Sequence, residues 1–132
     1  METKIRLTNT RYFIDVFLWN SRKELHQKTK EKLRKSKKLD YGALYKPEAY
    51  IVWPKRKISP KLGEIHLYRG RTGVGLISHE VLHCIFDYAM KAGKGRETLD
   101  ISDNNDDLEN LCGLQGELVR KIGNWLNKIK AW

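Results

Sequence analysis

His79-Glu80-Val81-Leu82-His83 decides how this chain is read, because it has the H-E-x-x-H form inside an apolar periodic segment. Residues four apart on a helix stand one above the other, so both imidazoles can reach a single ion. Glu80 is turned from His79 by about 100° through the ~3.6-residue period. That keeps it out of the histidine pair but places it to touch a metal-bound water. The spacing therefore predicts a helix carrying two metal ligands and a carboxylate base. The competing reading makes His79 and His83 ordinary polar positions of an amphipathic helix.

The flanking sequence supports the helix. Gly63-Glu64-Ile65-His66-Leu67-Tyr68 reads as a short strand with Ile65 and Leu67 on one face, and Arg69-Gly70-Arg71-Thr72-Gly73 reads as a turn. A helix is predicted from near Thr72, with Val74, Ile77, Val81, Leu82, Ile85 and Ala89 at helical spacing. Gly93 and Gly95 should stop it after Met90-Lys91-Ala92.

Catalytic zinc usually takes three protein ligands and leaves one position open for water. The acidic cluster Asp100, Asp103, Asp106, Asp107 and Glu109 precedes a final apolar helix, and Glu109 is the leading third ligand. Gly113 and Gly116 share its helical face, and each weakens a helix by about 0.5–1 kcal/mol relative to Ala, which predicts a close helix–helix approach there. Against this, Asp106-Asp107-Leu108-Glu109 also fits a capping box. Asp106 and Asp107 are the alternative carboxylates. Cys112 can ligate as a thiolate, or serve as a small apolar residue.

The run Thr72-Gly73-Val74-Gly75-Leu76-Ile77-Ser78-His79-Glu80-Val81-Leu82-His83, with Glu109-Asn110-Leu111-Cys112-Gly113-Leu114-Gln115-Gly116, resembles small zinc peptidases of phages and prophages, of the minimal gluzincin kind. The resemblance spans Gly63 to Trp125. It implies a zincin-like fold in which His79, His83 and Glu109 bind one zinc ion and Glu80 is the base. Glu64 to Tyr68 is similar to the edge strand that precedes the active-site helix in that family. Larger gluzincins add a His or Tyr that stabilises the transition state, and no residue here matches it clearly. His66 is the candidate, since alternation puts it with Glu64 and Tyr68 opposite the apolar pair, on a face that can border the cleft. Tyr68 and Tyr88 are further possible O–H donors. His26 has no ligand spacing to any partner.

Upstream, Tyr12 to Trp19 and Tyr50 to Pro54 read as strands, and the basic stretch Ser21 to Lys38 as a helix with Leu25 and Leu33 as a thin apolar stripe. Leu108 to Trp132 repeats apolar residues at helical spacing and should pack on the histidine helix. The expected architecture is α+β, one domain over residues 1–132, with a small sheet of about three strands on the histidine helix and the C-terminal helix.

Two cysteines are too few for a disulfide framework, no apolar run approaches a membrane span, and no secretory signal is evident. Those features favour a cytoplasmic protein that does not enter membranes, in a host cytoplasm if phage-encoded. The formal charge is +10, with seven basic residues between Lys28 and Lys38 and three more in Lys55-Arg56-Lys57 beside Trp53. Such a surface can contact nucleic acid, although lysine-rich helices are more often solvated faces. The leading expectation is a zinc-dependent peptidase acting on a peptide or protein substrate. The alternative is a non-enzymatic phage-type protein that binds nucleic acid or a host protein, with a structural or vestigial zinc site, for which Cys112 is the candidate fourth ligand, or with no metal at all.

Overall fold

The computed structural model describes residues 1–29, 44–47, 51–52, 57–92 and 106–131. In chain order these form β1 (Glu2–Arg6), β2 (Phe13–Trp19), α1 (Arg22–Thr29), β3 (Leu44–Pro47), β4 (Ile51–Val52), β5 (Lys57–Ile58), β6 (Lys61–Tyr68), α2 (Val74–Ala92) and α3 (Asp106–Lys128). The sheet has four strands in the order β1-β2-β6-β3, rather than about three, and β4 with β5 makes a separate two-stranded ribbon. β2 runs antiparallel to β1 and parallel to β6, and β3 pairs antiparallel with β6.

The strands follow from alternation. Along β2, Ile14, Val16 and Leu18 are buried and the residues between them are half-buried. On β6, Ile65 and Leu67 take the same face, and a bulge opposite Phe13 and Ile14 brings Leu62 into the core as well. These side chains meet Ile77, Val81, Cys84 and Ile85 of α2 and Leu118, Ile122 and Leu126 of α3 in one cluster. Each fully buried Leu, Ile or Val there contributes about 1.5–3 kcal/mol. α1 contacts β2 and β6 and buries Leu25 apart from that cluster, so it covers the reverse face of the sheet.

Local signals set the helix ends. At α1, Ser21 Oγ accepts from the Glu24 amide at 3.1 Å, and Glu24 Oε2 accepts from the Asn20 amide at 2.7 Å, which satisfies free donors at the N-terminus. α2 opens after Gly73, whose carbonyl accepts from the Ile77 amide, two residues later than the turn reading placed it. α3 closes with Ala131 N donating to Leu126 O and Lys130 N to Asn127 O, with Lys130 at φ 54° in the left-handed region. Thr72 Oγ1 donates to the Ala131 carbonyl at 2.9 Å, tying the start of α2 to the end of α3, so the two helices run antiparallel.

Three sequence expectations change here. Glu64 to Tyr68 belongs to an interior strand with β2 on one side and β3 on the other, and among the described residues β3 is the sheet edge beside α2. Gly113 and Gly116 are exposed, and a Cβ on either would meet nothing within 4 Å among the described residues, so no contact with a described helix explains them. Val74 and Leu82, placed with the core residues by their spacing, are 57% and 39% exposed. The basic run from Lys30 to Lys38, Trp53 and the run Gly93 to Asn105 lie outside the described residues. No helix among the described residues is long and apolar enough to cross a membrane.

Candidate functional site

His79 and His83 both project from the exposed side of α2, with Nε2 atoms 3.3 Å apart and rings at 79° to one another. Two nitrogens each about 2.0–2.1 Å from a tetrahedral zinc are separated by roughly 3.3–3.4 Å. The pair therefore has the spacing of two ligands on one tetrahedral ion.

Glu80 turns inward and is 6% exposed. Burial pushes its carboxyl above the ordinary range; the charges of His79 and His83 and a hydrogen bond from the Tyr45 backbone pull the other way without cancelling it. A carboxylate so placed is a stronger base than one in water. The helix thus splits its motif as the spacing predicts, two imidazoles outward and one carboxylate toward β3.

β3 completes the site. Alternation puts Tyr45, paired with Ile65, on the α2 side of the sheet, while Leu44, paired with His66, and Lys46, paired with Glu64, face the reverse. The Tyr45 ring lies parallel to the His83 ring, at 3° with centroids 6.2 Å apart. Its hydroxyl is 2.6 Å from Asp87 Oδ2 and 2.9 Å from the Leu62 carbonyl oxygen, so one proton serves two acceptors. A cleft of about 390 Å³ opens between β3 and α2, lined by Leu44, Tyr45, Pro47, Glu80, His83, Phe86 and Asp87.

His66 lies elsewhere. It sits on the reverse face of the sheet, 5% exposed, where Trp19 Nε1 donates to its Nδ1 at 3.0 Å and its Nε2 meets Glu64 Oε2 at 3.0 Å. An indole N–H can only donate, so the imidazole proton sits on Nε2 and points at Glu64. Phe17 stacks on the ring, with centroids 4.8 Å apart. The expected helper role is corrected on this ground: the sheet stands between His66 and Glu80. Tyr88, at 180° from His79 around α2, packs edge-on against Tyr12, and Tyr68 shares the face of His66.

Glu109 is also away from the pair. It is exposed and lies at 180° from the buried Leu118 around α3. Measured from the Thr72–Ala131 tie, His83 lies about 16 Å along α2 and Glu109 about 33 Å along α3 at 1.5 Å per residue, a separation of roughly 17 Å along the axes. Glu109 lines a second cleft, of about 490 Å³, with Thr8, Asn9, Thr10, Tyr88 and Glu117. Among the described residues no group of three or more His, Cys, Asp or Glu side chains is arranged to hold a metal ion. The side chains of Asp106 and Asp107 lie outside the described residues. Cys112 is exposed on α3, and Cys84 is buried beneath α2, where burial first and the charge of Asp87 second push its thiol up to about 12. Both are free.

Sequence reasoning missed Tyr45 and Asp87. Asp87 sits one turn after His83, at i+4, and Tyr45 belongs to a short strand ending in Pro47, the type of residue that marks an edge strand. No family model matches the chain, and neither a curated protein nor a solved structure does.

Proposed function

We propose that this chain is a zinc-dependent hydrolase of peptide bonds, in which His79 and His83 hold the ion and Glu80 is the general base. The observation that carries the reading is the 3.3 Å separation of the two Nε2 atoms, with a buried carboxylate on the next residue. The bound ion would polarise the substrate carbonyl and lower the pKa of its water to about 7.

The protein's own groups supply the rest. Glu80, a better base for being buried, takes a proton from the attacking water on one carboxylate oxygen and passes it to the leaving amine. The Tyr45 amide holds the carboxylate while this happens. An extended substrate fits the outer edge of β3, because both edges of β6 are occupied. Glu109 is left out of the ligand set on account of its position, and the third ligand is assigned to no residue.

The test is hydrolysis of a mixed peptide library by the zinc-loaded protein beside its Glu80→Gln variant. Glu80→Gln should keep its zinc and lose about 10²–10⁴-fold in rate. Cleavage at the wild-type rate by Glu80→Gln would refute the assignment.

A further inference from the structure

Tyr45 makes three separate contacts along about two turns of α2. Its ring runs parallel to the His83 imidazole with centroids 6.2 Å apart, its hydroxyl meets Asp87 one turn further on, and its backbone hydrogen bonds to Glu80. A residue that only filled the core would not reach a candidate ligand and the candidate base at once.

Gly63 shows that the arrangement is built into the sheet. A Cβ there would collide with the Lys46 carbonyl oxygen and stand 2.8 Å from both Cε2 and the hydroxyl oxygen of Tyr45. Gly63 is buried in β6 opposite Pro47, and its bare backbone is the seat on which the Tyr45 ring rests. The hydroxyl then reaches back over this seat to the Leu62 carbonyl. Ring, hydroxyl and amide are held at separate points, the ring by its seat on Gly63.

We propose that Tyr45 is the positioning residue of the His79–Glu80–His83 site: seated on Gly63, its ring fixes the His83 imidazole and its backbone amide fixes the Glu80 carboxylate. This rests on the zinc reading above and names a residue that reading did not require. Groups that orient a metal ligand without touching the metal set its affinity by about 10–100-fold.

The experiment titrates zinc alone against a chromophoric competitor chelator, using wild type, Tyr45→Phe, Tyr45→Leu, Gly63→Ala and His83→Ala, with each variant's thermal midpoint recorded. Tyr45→Leu and Gly63→Ala should bind zinc about 10–100-fold more weakly, and Tyr45→Phe, which keeps the ring and the amide, should recover most of the wild-type affinity. Cobalt substituted for zinc reads the geometry directly: its visible d–d bands should shift in Tyr45→Leu and not in Tyr45→Phe, a difference that general loss of stability does not produce. If Tyr45→Leu does not fold, the wild type decides, since a nuclear Overhauser contact between the Tyr45 and His83 rings is expected and its absence overturns the proposal. Equal zinc affinity in wild type and Tyr45→Leu overturns the positioning role alone. No zinc binding by wild type overturns the zinc reading and this proposal with it.

Discussion

Replacing Glu64 with Gln tests the polar network on the reverse face of the sheet. The Glu64 side chain is 14% exposed and meets Lys61 Nζ at 2.9 Å, His66 Nε2 at 3.0 Å and Lys46 Nζ at 3.9 Å. Burial pushes its carboxyl up, but hydrogen bonds from Lys61 and His66 and the charges of Lys61 and Lys46 outweigh that and bring it from 4.5 to about 2. At about 1.4 kcal/mol per pH unit the difference is worth at most about 3.5 kcal/mol. Lys46 and Lys61 are 28% and 24% exposed, and solvent screening brings the expected value to about 1–2 kcal/mol. A carboxyl whose folded pKa is lowered stabilises the fold fully above its unfolded value and loses that contribution as pH falls through the folded one. Urea unfolding of wild type and Glu64→Gln should therefore differ by about 1–2 kcal/mol at pH 7, with the gap closing between pH 4.5 and about 2. The Lys61 ammonium is raised despite its burial by the same partner, so the gap should persist on the alkaline side to beyond 10.5. A gap that stays constant down to pH 2, or one below about 0.3 kcal/mol at pH 7, refutes the reasoning.

The exposed helical glycines give a simpler check, since Gly113→Ala and Gly116→Ala should each raise stability by about 0.5–1 kcal/mol; a loss at either would restore the helix contact the sequence suggested. A thiol reagent at pH 8 should label one cysteine quickly, and Cys112→Ser should abolish that fast phase, because Cys84 is buried and its thiol is pushed up to about 12. Lys130→Gly should add up to about 1 kcal/mol in thermal unfolding by relieving the left-handed backbone at φ 54°, and a neutral or destabilising result would count against the helix-end motif.

Local periodicity carried most of what was legible in the sequence. The α+β class, β2, α2 and the final helix follow from spacing, and Ile77, Val81, Ile85 and Ala89 do fall on the buried face of α2. The nearness of His79 and His83 was legible because a spacing of four residues on one helix suffices to bring two imidazoles together. What the sequence did not carry was the choice of partner for each face. Alternation separated Ile65 and Leu67 from His66 correctly but left open which side α2 would cover, and the helix packed on the apolar side. Glu109 looked like a ligand through its distance along the chain. The face of α3 that packs inward is set instead by Leu118, Ile122 and Leu126, which turns Glu109 to solvent. β3 is four residues long, too short for a period-2 signal, so Tyr45 became visible only through its pairing with Ile65.

Elemental analysis of the purified wild type beside His79→Ala, His83→Ala and Glu109→Ala tests the central claim most directly. The account predicts about one zinc per chain in the wild type and in Glu109→Ala, and none in either histidine variant. A wild type without zinc, or histidine variants that keep it, would contradict the claim that this pair holds the ion.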